Sequence, residues 1–116
     1  MGGERDIRDW QAAIPLGGSH NTATTKELIA AVSGKKTKVY ALTLSTLVVA
    51  SDNIVRLTDG SGGAVLYEIE LGTGLQGVQL PSSVRRYFET STNKALHIKL
   101  SAAQKVTYSL SYYQEP

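Results

Sequence analysis

Apolar and polar residues alternate with a period of two along most of the chain from residue 22 onward. Because the side chains of a strand point to its two faces in turn, this pattern predicts β-strands that bury one face. Residues 64–71, AVLYEIEL, show it most clearly, and their odd-numbered positions from Val65 to Leu71 are predicted to point inward. Residues 95–100 and 105–113 alternate in the same way, with Ile98 predicted to lie at the centre of a buried face.

Residues 35–50, KKTKVYALTLSTLVVA, form the longest stretch of this kind and predict the central strand of the sheet. Unbroken alternation places Val39 on one face and Tyr40, Leu42 and Leu44 on the other. Sixteen residues exceed the length of a typical strand, so a bend near Ser45–Thr46 is expected.

Shorter runs and turn residues complete the pattern. Residues 25–32, TKELIAAV, are interpreted as a strand, although their Glu, Leu and Ala also favour a helix. Further short strands are predicted at residues 53–59, 77–80 and 86–89. The glycines of residues 59–63 predict a β-hairpin, and Asn93 predicts a left-handed turn. About eight closely spaced strands predict an all-β fold, a single jelly-roll-like β-sandwich of antiparallel strands.

Residues 1–21 differ from the remainder of the chain. They contain two glycine pairs, one proline and few β-branched residues. This composition predicts an extended N-terminal arm, followed by one sandwich domain at residues 22–116. Ile7, Trp10 and Ile14 are the predicted anchors of the arm on another protein surface, because large apolar side chains dominate such contacts.

Composition narrows the possible partners. The net charge is +2, and the basic residues are scattered among acidic ones, which argues against nucleic-acid binding. The absence of cysteine excludes disulfides, cysteine metal sites and thiol nucleophiles. No apolar run reaches the ~18–20 residues that cross a bilayer, so no membrane partner is predicted.

Candidate catalytic residues are few. Glu68 and Glu70 lie on one predicted strand face, roughly 7 Å apart, and are the only reasonable pair for glycoside hydrolysis. No third group accompanies them, so we interpret them as a solvent-exposed face and predict no enzyme. His20 and His97 lack partners at metal-ligand spacing, and neither a metal nor a cofactor is predicted.

Arg85 and Arg86 precede Tyr87 and Phe88, a combination that is favoured in protein interfaces. The alternative is an arginine pair that is merely solvated, with its aromatic neighbours in the core. Tyr113 lies on the opposite strand face from Tyr112 and is the tyrosine most suited to a subunit contact. Arg85, Arg86 and Tyr113 therefore join the arm residues as predicted interface residues.

Two stretches carry a resemblance to a known family. Residues 27–44, ELIAAVSGKKTKVYALTL, and residues 87–102, YFETSTNKALHIKLSA, resemble small β-sandwich modules of tailed-phage virion proteins. The resemblance extends over residues 25–113, and its motifs are structural. Asn93-Lys94 stands where glycine is frequent in that corner, and Asn tolerates the left-handed conformation.

The resemblance implies a head decoration (cement) protein, a homotrimer on the capsid surface of a bacteriophage. By the same resemblance, the arm would lie on the major capsid protein or on a neighbouring subunit. The alternative is a tail or fibre module that binds a receptor or glycan, with contacts from the loops at residues 59–63 and 72–77. Surface tyrosines that stack on sugars would suit that alternative.

Overall fold

The computed structural model describes residues 12–46, 52–72 and 74–116, so Ile7 and Trp10 lie outside the described residues. Nine strands occur in the described part of the chain. They are β1 (Ile14–His20), β2 (Thr25–Ile29), β3 (Lys36–Ser45), β4 (Asn53–Asp59), β5 (Val65–Leu71), β6 (Gly77–Leu80), β7 (Phe88–Glu89), β8 (Leu96–Leu100) and β9 (Val106–Glu115).

The strands form two antiparallel sheets that pack face to face. The first sheet has the order β1-β9-β3-β6, with β7 also paired to β3, and the second has the order β2-β8-β4-β5. The first strand therefore pairs with the last, the second with the next to last, and the fourth with the fifth. This nesting is the connectivity of a jelly roll. The predicted all-β sandwich of antiparallel strands is confirmed.

The core lies between the sheets and takes its apolar side chains from both. Its largest fully buried aliphatic side chains are Leu42, Leu44, Leu57, Leu71, Leu96, Ile98 and Leu100. The alternation predicted for β8 and for the first half of β9 is confirmed, because Ile98, Val106 and Leu110 are buried while Lys99 and Thr107 are exposed. Burial of this face supplies the main stabilising term of the fold.

Two β-bulges correct the face assignments made from alternation alone. A register shift between Val39 and Ala41 leaves Tyr40 as an extra residue opposite β9. An extra residue reverses the alternation beyond it, so Val39 shares the core with Leu42 and the predicted opposition of these two was wrong. A second bulge lies in β5, where Tyr67 and Val65 oppose consecutive residues of β4. Val65 is 50% exposed, so its predicted burial was wrong.

Strand β1 lies within the segment that the sequence assigned to the arm. Ile14–His20 pairs with β9 along its whole length, so these residues are an edge strand of the first sheet. The glycines, interpreted as signs of an irregular segment, are compatible with the strand for a steric reason. A Cβ atom on Gly18 would lie 2.6 Å from the hydroxyl oxygen of Tyr108, so glycine lets this ring lie against β1.

The β4–β5 hairpin is confirmed, and its turn is tied to the loop before β8. Gly60 and Gly62 have φ angles of 80° and 69°, and Asn93 adopts the predicted left-handed conformation at φ 67°. The Asp59 carboxylate accepts hydrogen bonds from the Ser91 amide (2.9 Å) and hydroxyl (2.5 Å). These bonds fix the two loops at one end of the sandwich.

Gly63→Ala tests the packing of this hairpin. A Cβ atom at Gly63 would lie 1.8 Å from the Asp59 carbonyl oxygen, so the turn has to open. We expect the free energy of unfolding, measured in urea, to fall by about 2 kcal/mol. Gly74→Ala is the matched control, because no atom lies within 4 Å of a Cβ placed there. Equal stability of the two variants would contradict the assignment of the steric conflict to Gly63.

Candidate protein interface

The outer face of the first sheet carries a row of polar side chains across three strands. Lys38 of β3 is the register partner of Tyr113 of β9 on one side and of Glu89 of β7 on the other. Register partners share a face of the sheet. Tyr112 packs against the core, so Tyr113 and the rest of the row face away from it.

Charges are concentrated around this row, and we name Lys36, Lys38, Arg86, Glu89 and Glu115 the outer-face cluster. Lys38 forms an ion pair with Glu115, and both side chains are less than one tenth exposed. Glu89 accepts from Arg86 at 3.0 Å and lies 3.7 Å from the Lys36 amine. Ion pairs that are partly exposed contribute little, whereas a buried pair becomes costly when one partner is removed.

A loop of residues 81–87 interrupts the edge of the first sheet between β6 and β7, and both of those strands pair with β3. The amide of Ser83 donates to the Tyr40 carbonyl (3.0 Å), and the amide of Tyr87 donates to the Val39 carbonyl (2.8 Å). A regular strand directs consecutive carbonyls to opposite neighbours. The bulge at Tyr40 explains why two consecutive carbonyls face the same edge here, where they anchor the loop.

The 81–87 loop is also closed on itself. The Tyr87 hydroxyl donates to the Pro81 carbonyl, and the Arg85 amide donates to the Ser83 hydroxyl oxygen (3.2 Å). Val84 remains 44% exposed and Tyr87 40% exposed, and both arginines are exposed. The loop therefore presents apolar and cationic side chains together on an anchored backbone.

The structure brings some of the predicted interface residues together. Arg86 and Tyr113 both lie at the outer-face row, and Arg85 directly precedes Arg86 in the 81–87 loop. Ile14 is elsewhere: it begins β1, pairs in register with Tyr112, and is 49% exposed. Sequence reasoning missed Val84, although Pro81 and the serines that follow it indicated a loop at this position.

The other candidates from the sequence are widely separated or already paired. Glu68 forms an ion pair with Arg56 at 2.5 Å, and Glu70 lines a depression of about 280 Å³ together with Asp52 and Leu75. The loops at residues 59–63 and 72–77 lie at opposite ends of β5, so they do not form a single glycan site.

The two histidines, His20 and His97, both lie in the described ranges 12–46, 52–72 and 74–116. The His20 Nε2 atom lies 2.8 Å from the Thr24 carbonyl oxygen, and His97 Nδ1 is buried without a hydrogen-bond partner. No group of three His, Cys, Asp or Glu residues in these ranges is arranged to hold a metal ion. Within the same ranges, no helix has the length and apolarity that crossing a bilayer requires.

No protein-family model matches the sequence, and no curated protein matches it. The fold, however, is similar to chains of two phage capsids. One belongs to the acid-stable capsid of Helicobacter pylori bacteriophage KHP30, with a TM-score of 0.59 and 13% identity over 90% of this chain and 93% of that chain. The other belongs to the capsid asymmetric unit of cyanophage Pam1, with a TM-score of 0.52 and 17% identity over 87% and 84%. The fold expected from the sequence resemblance is confirmed.

Proposed function

We propose that this chain is a structural protein of a phage virion, a decoration (cement) protein that binds the assembled head and stabilises it. The observation that carries the proposal is the match of nearly the whole jelly roll to chains from two phage capsids. The sequence resemblance to virion β-sandwich modules supports it independently. The role is binding and not catalysis, and its partners are the major capsid protein and further copies of this chain.

Stabilisation would follow from mass action. A protein that binds the assembled shell, and not its separated subunits, favours assembly in proportion to how fully its sites are occupied. Three joined copies would raise the local concentration of one another's contacts, which increases avidity without any new contact. Sedimentation of the purified protein as a trimer is expected under this proposal.

The arm that contacts the coat would be the segment before β1. Because Ile14–His20 is committed to the first sheet, the segment available for coat contact is shorter than residues 1–21. Ile7 and Trp10 remain its predicted anchors, since large apolar side chains dominate protein contacts.

Deleting residues 2–11 tests the arm. We expect loss of binding to purified heads of the phage that encodes the protein, measured by co-sedimentation, with little change in melting temperature. A deletion through Gly18 would be uninformative, because it removes most of β1 from the sheet.

Trp10→Ala should weaken co-sedimentation in the same way, whereas Trp10→Phe, which keeps an aromatic ring, serves as its matched control. Undiminished binding by the deletion variant would refute the role of the arm. Failure of the wild-type protein to bind any phage particle would refute the proposed function itself.

A further inference from the structure

The 81–87 loop contains two adjacent arginines and no acidic residue. Arg86 shares the Glu89 carboxylate with Lys36, and Lys38 is paired to Glu115. The guanidinium of Arg85 has no ion pair with any residue of the described ranges 12–46, 52–72 and 74–116. Within those ranges, Arg85 therefore contributes a positive charge that no carboxylate pairs.

Apolar side chains lie within the same loop. Val84 and Tyr87 are two of the few large apolar residues that are more than a third exposed in the described chain. Most surface arginines are simply solvated, and single exposed apolar residues are common. An exposed valine and tyrosine on both sides of an arginine pair form instead the combination found at the centre of protein interfaces.

The loop backbone is fixed before any partner arrives. The amides of Ser83 and Tyr87 donate to consecutive carbonyls of β3, and the Tyr87 hydroxyl donates to the Pro81 carbonyl. A contact element that is already ordered loses less conformational entropy on binding than a loop that must fold at that moment.

We propose that the 81–87 loop docks on an acidic patch of another virion protein, with the Arg85 guanidinium facing carboxylates and with Val84 and Tyr87 on an adjoining apolar area. The partner is identified by charge complementarity, because the Arg85 guanidinium favours negative groups opposite it. This inference rests on the proposed function and adds a second contact, distinct from the arm.

Arg85→Glu and Val84→Asp test the inference in the full-length protein. Binding to purified heads of the encoding phage is titrated at low and moderate salt. Each substitution is expected to raise the dissociation constant at least about tenfold, because it places like charge against an acidic surface. Lys99→Glu is the matched control, since it makes the same charge change at an exposed position of β8, in the second sheet, and it should bind like wild type.

The melting temperatures of all variants should agree, because both substituted loop side chains are exposed. Tyr87→Phe adds a second measurement: it keeps the ring, releases the bond to Pro81, and is expected to weaken binding by less than Arg85→Glu does.

The outcomes separate the two hypotheses. Selective weakening by Arg85→Glu and Val84→Asp, with a steeper salt dependence for wild type than for Arg85→Glu, supports the loop contact. Wild-type affinity in both loop variants overturns it while the proposed function stands. Equal weakening by Lys99→Glu also overturns it, because general charge attraction then accounts for the effect. If wild type itself fails to bind heads, the proposed function fails and the loop contact falls with it.

Discussion

Ile98→Asp is expected to abolish cooperative folding. Ile98 is fully buried in β8, which lies between β2 and β4 in the second sheet. A carboxylate at this position would have neither water nor a charge partner, and burying it costs several kcal/mol whether it ionises or binds a proton. Removal of the isoleucine packing adds a further loss of about 2–5 kcal/mol. The sum approaches the whole stability of a typical domain, about 5–15 kcal/mol.

The expected result is a circular dichroism spectrum without a thermal unfolding transition. Lys99→Asp is the matched control, because it introduces the same side chain one residue later, on the exposed face of the same strand. Its stability should remain within about 0.5 kcal/mol of wild type. A folded Ile98→Asp variant with a normal melting temperature would show that the side chain does not face the core.

Lys38→Met is expected to have the second largest effect. Its partner Glu115 is buried, and the substitution would leave that carboxylate without the ammonium group of Lys38. Removing one partner of a buried ion pair typically costs about 3–5 kcal/mol. We therefore expect the free energy of unfolding to fall by about 4 kcal/mol. Urea unfolding of the purified variant measures it.

The double variant Lys38→Met/Glu115→Leu distinguishes two quantities. One is the destabilisation caused by removing Lys38 alone, and the other is the net contribution of the ion pair to the free energy of unfolding. Because two apolar side chains need no counter-charge, the double variant should recover more than half of the stability lost by Lys38→Met. A double variant that loses the sum of both single effects would show that the two side chains act independently. Arg56→Met provides a comparison at an exposed pair with Glu68, where about 1 kcal/mol or less is expected.

Strands with a clear period of two could be predicted closely from the sequence. β4 and β6 have the predicted bounds, because turn residues limit both ends of each run. The inward positions of β8 were correct because that strand is regular and buries a single face. Local pattern was sufficient in these strands, which carry no extra residue of their own.

Bulges and edge pairing could not be predicted in this way. The bulge at Tyr40 exists only relative to β9, a strand more than sixty residues later in the sequence. β1 contains a proline and two glycines, and its strand conformation comes from pairing with β9 against local propensity. Tertiary pairing decided both features.

The candidate interface was predicted in part. The composition of residues 85–88 identified the arginines and their aromatic neighbours, but it could not show that Tyr113 lies on the same face. Tyr113 and the 85–88 segment come onto one face because β3 lies between β7 and β9 and pairs with both. Lys38 and Glu115 were not singled out, because sequence alone indicates no reason for a lysine and a glutamate to be buried together.

The position of β9 has a consequence for how the chain acquires its structure. β9 lies between β1 and β3 and is synthesised after both, so the first sheet cannot form in full until β9 has left the ribosome. Contacts between residues so far apart in sequence are slow to form, and folding of such topologies takes milliseconds to seconds. Until then the nascent chain exposes the edges of β1 and β3 with which β9 pairs, and this ten-residue strand then joins them in one sheet.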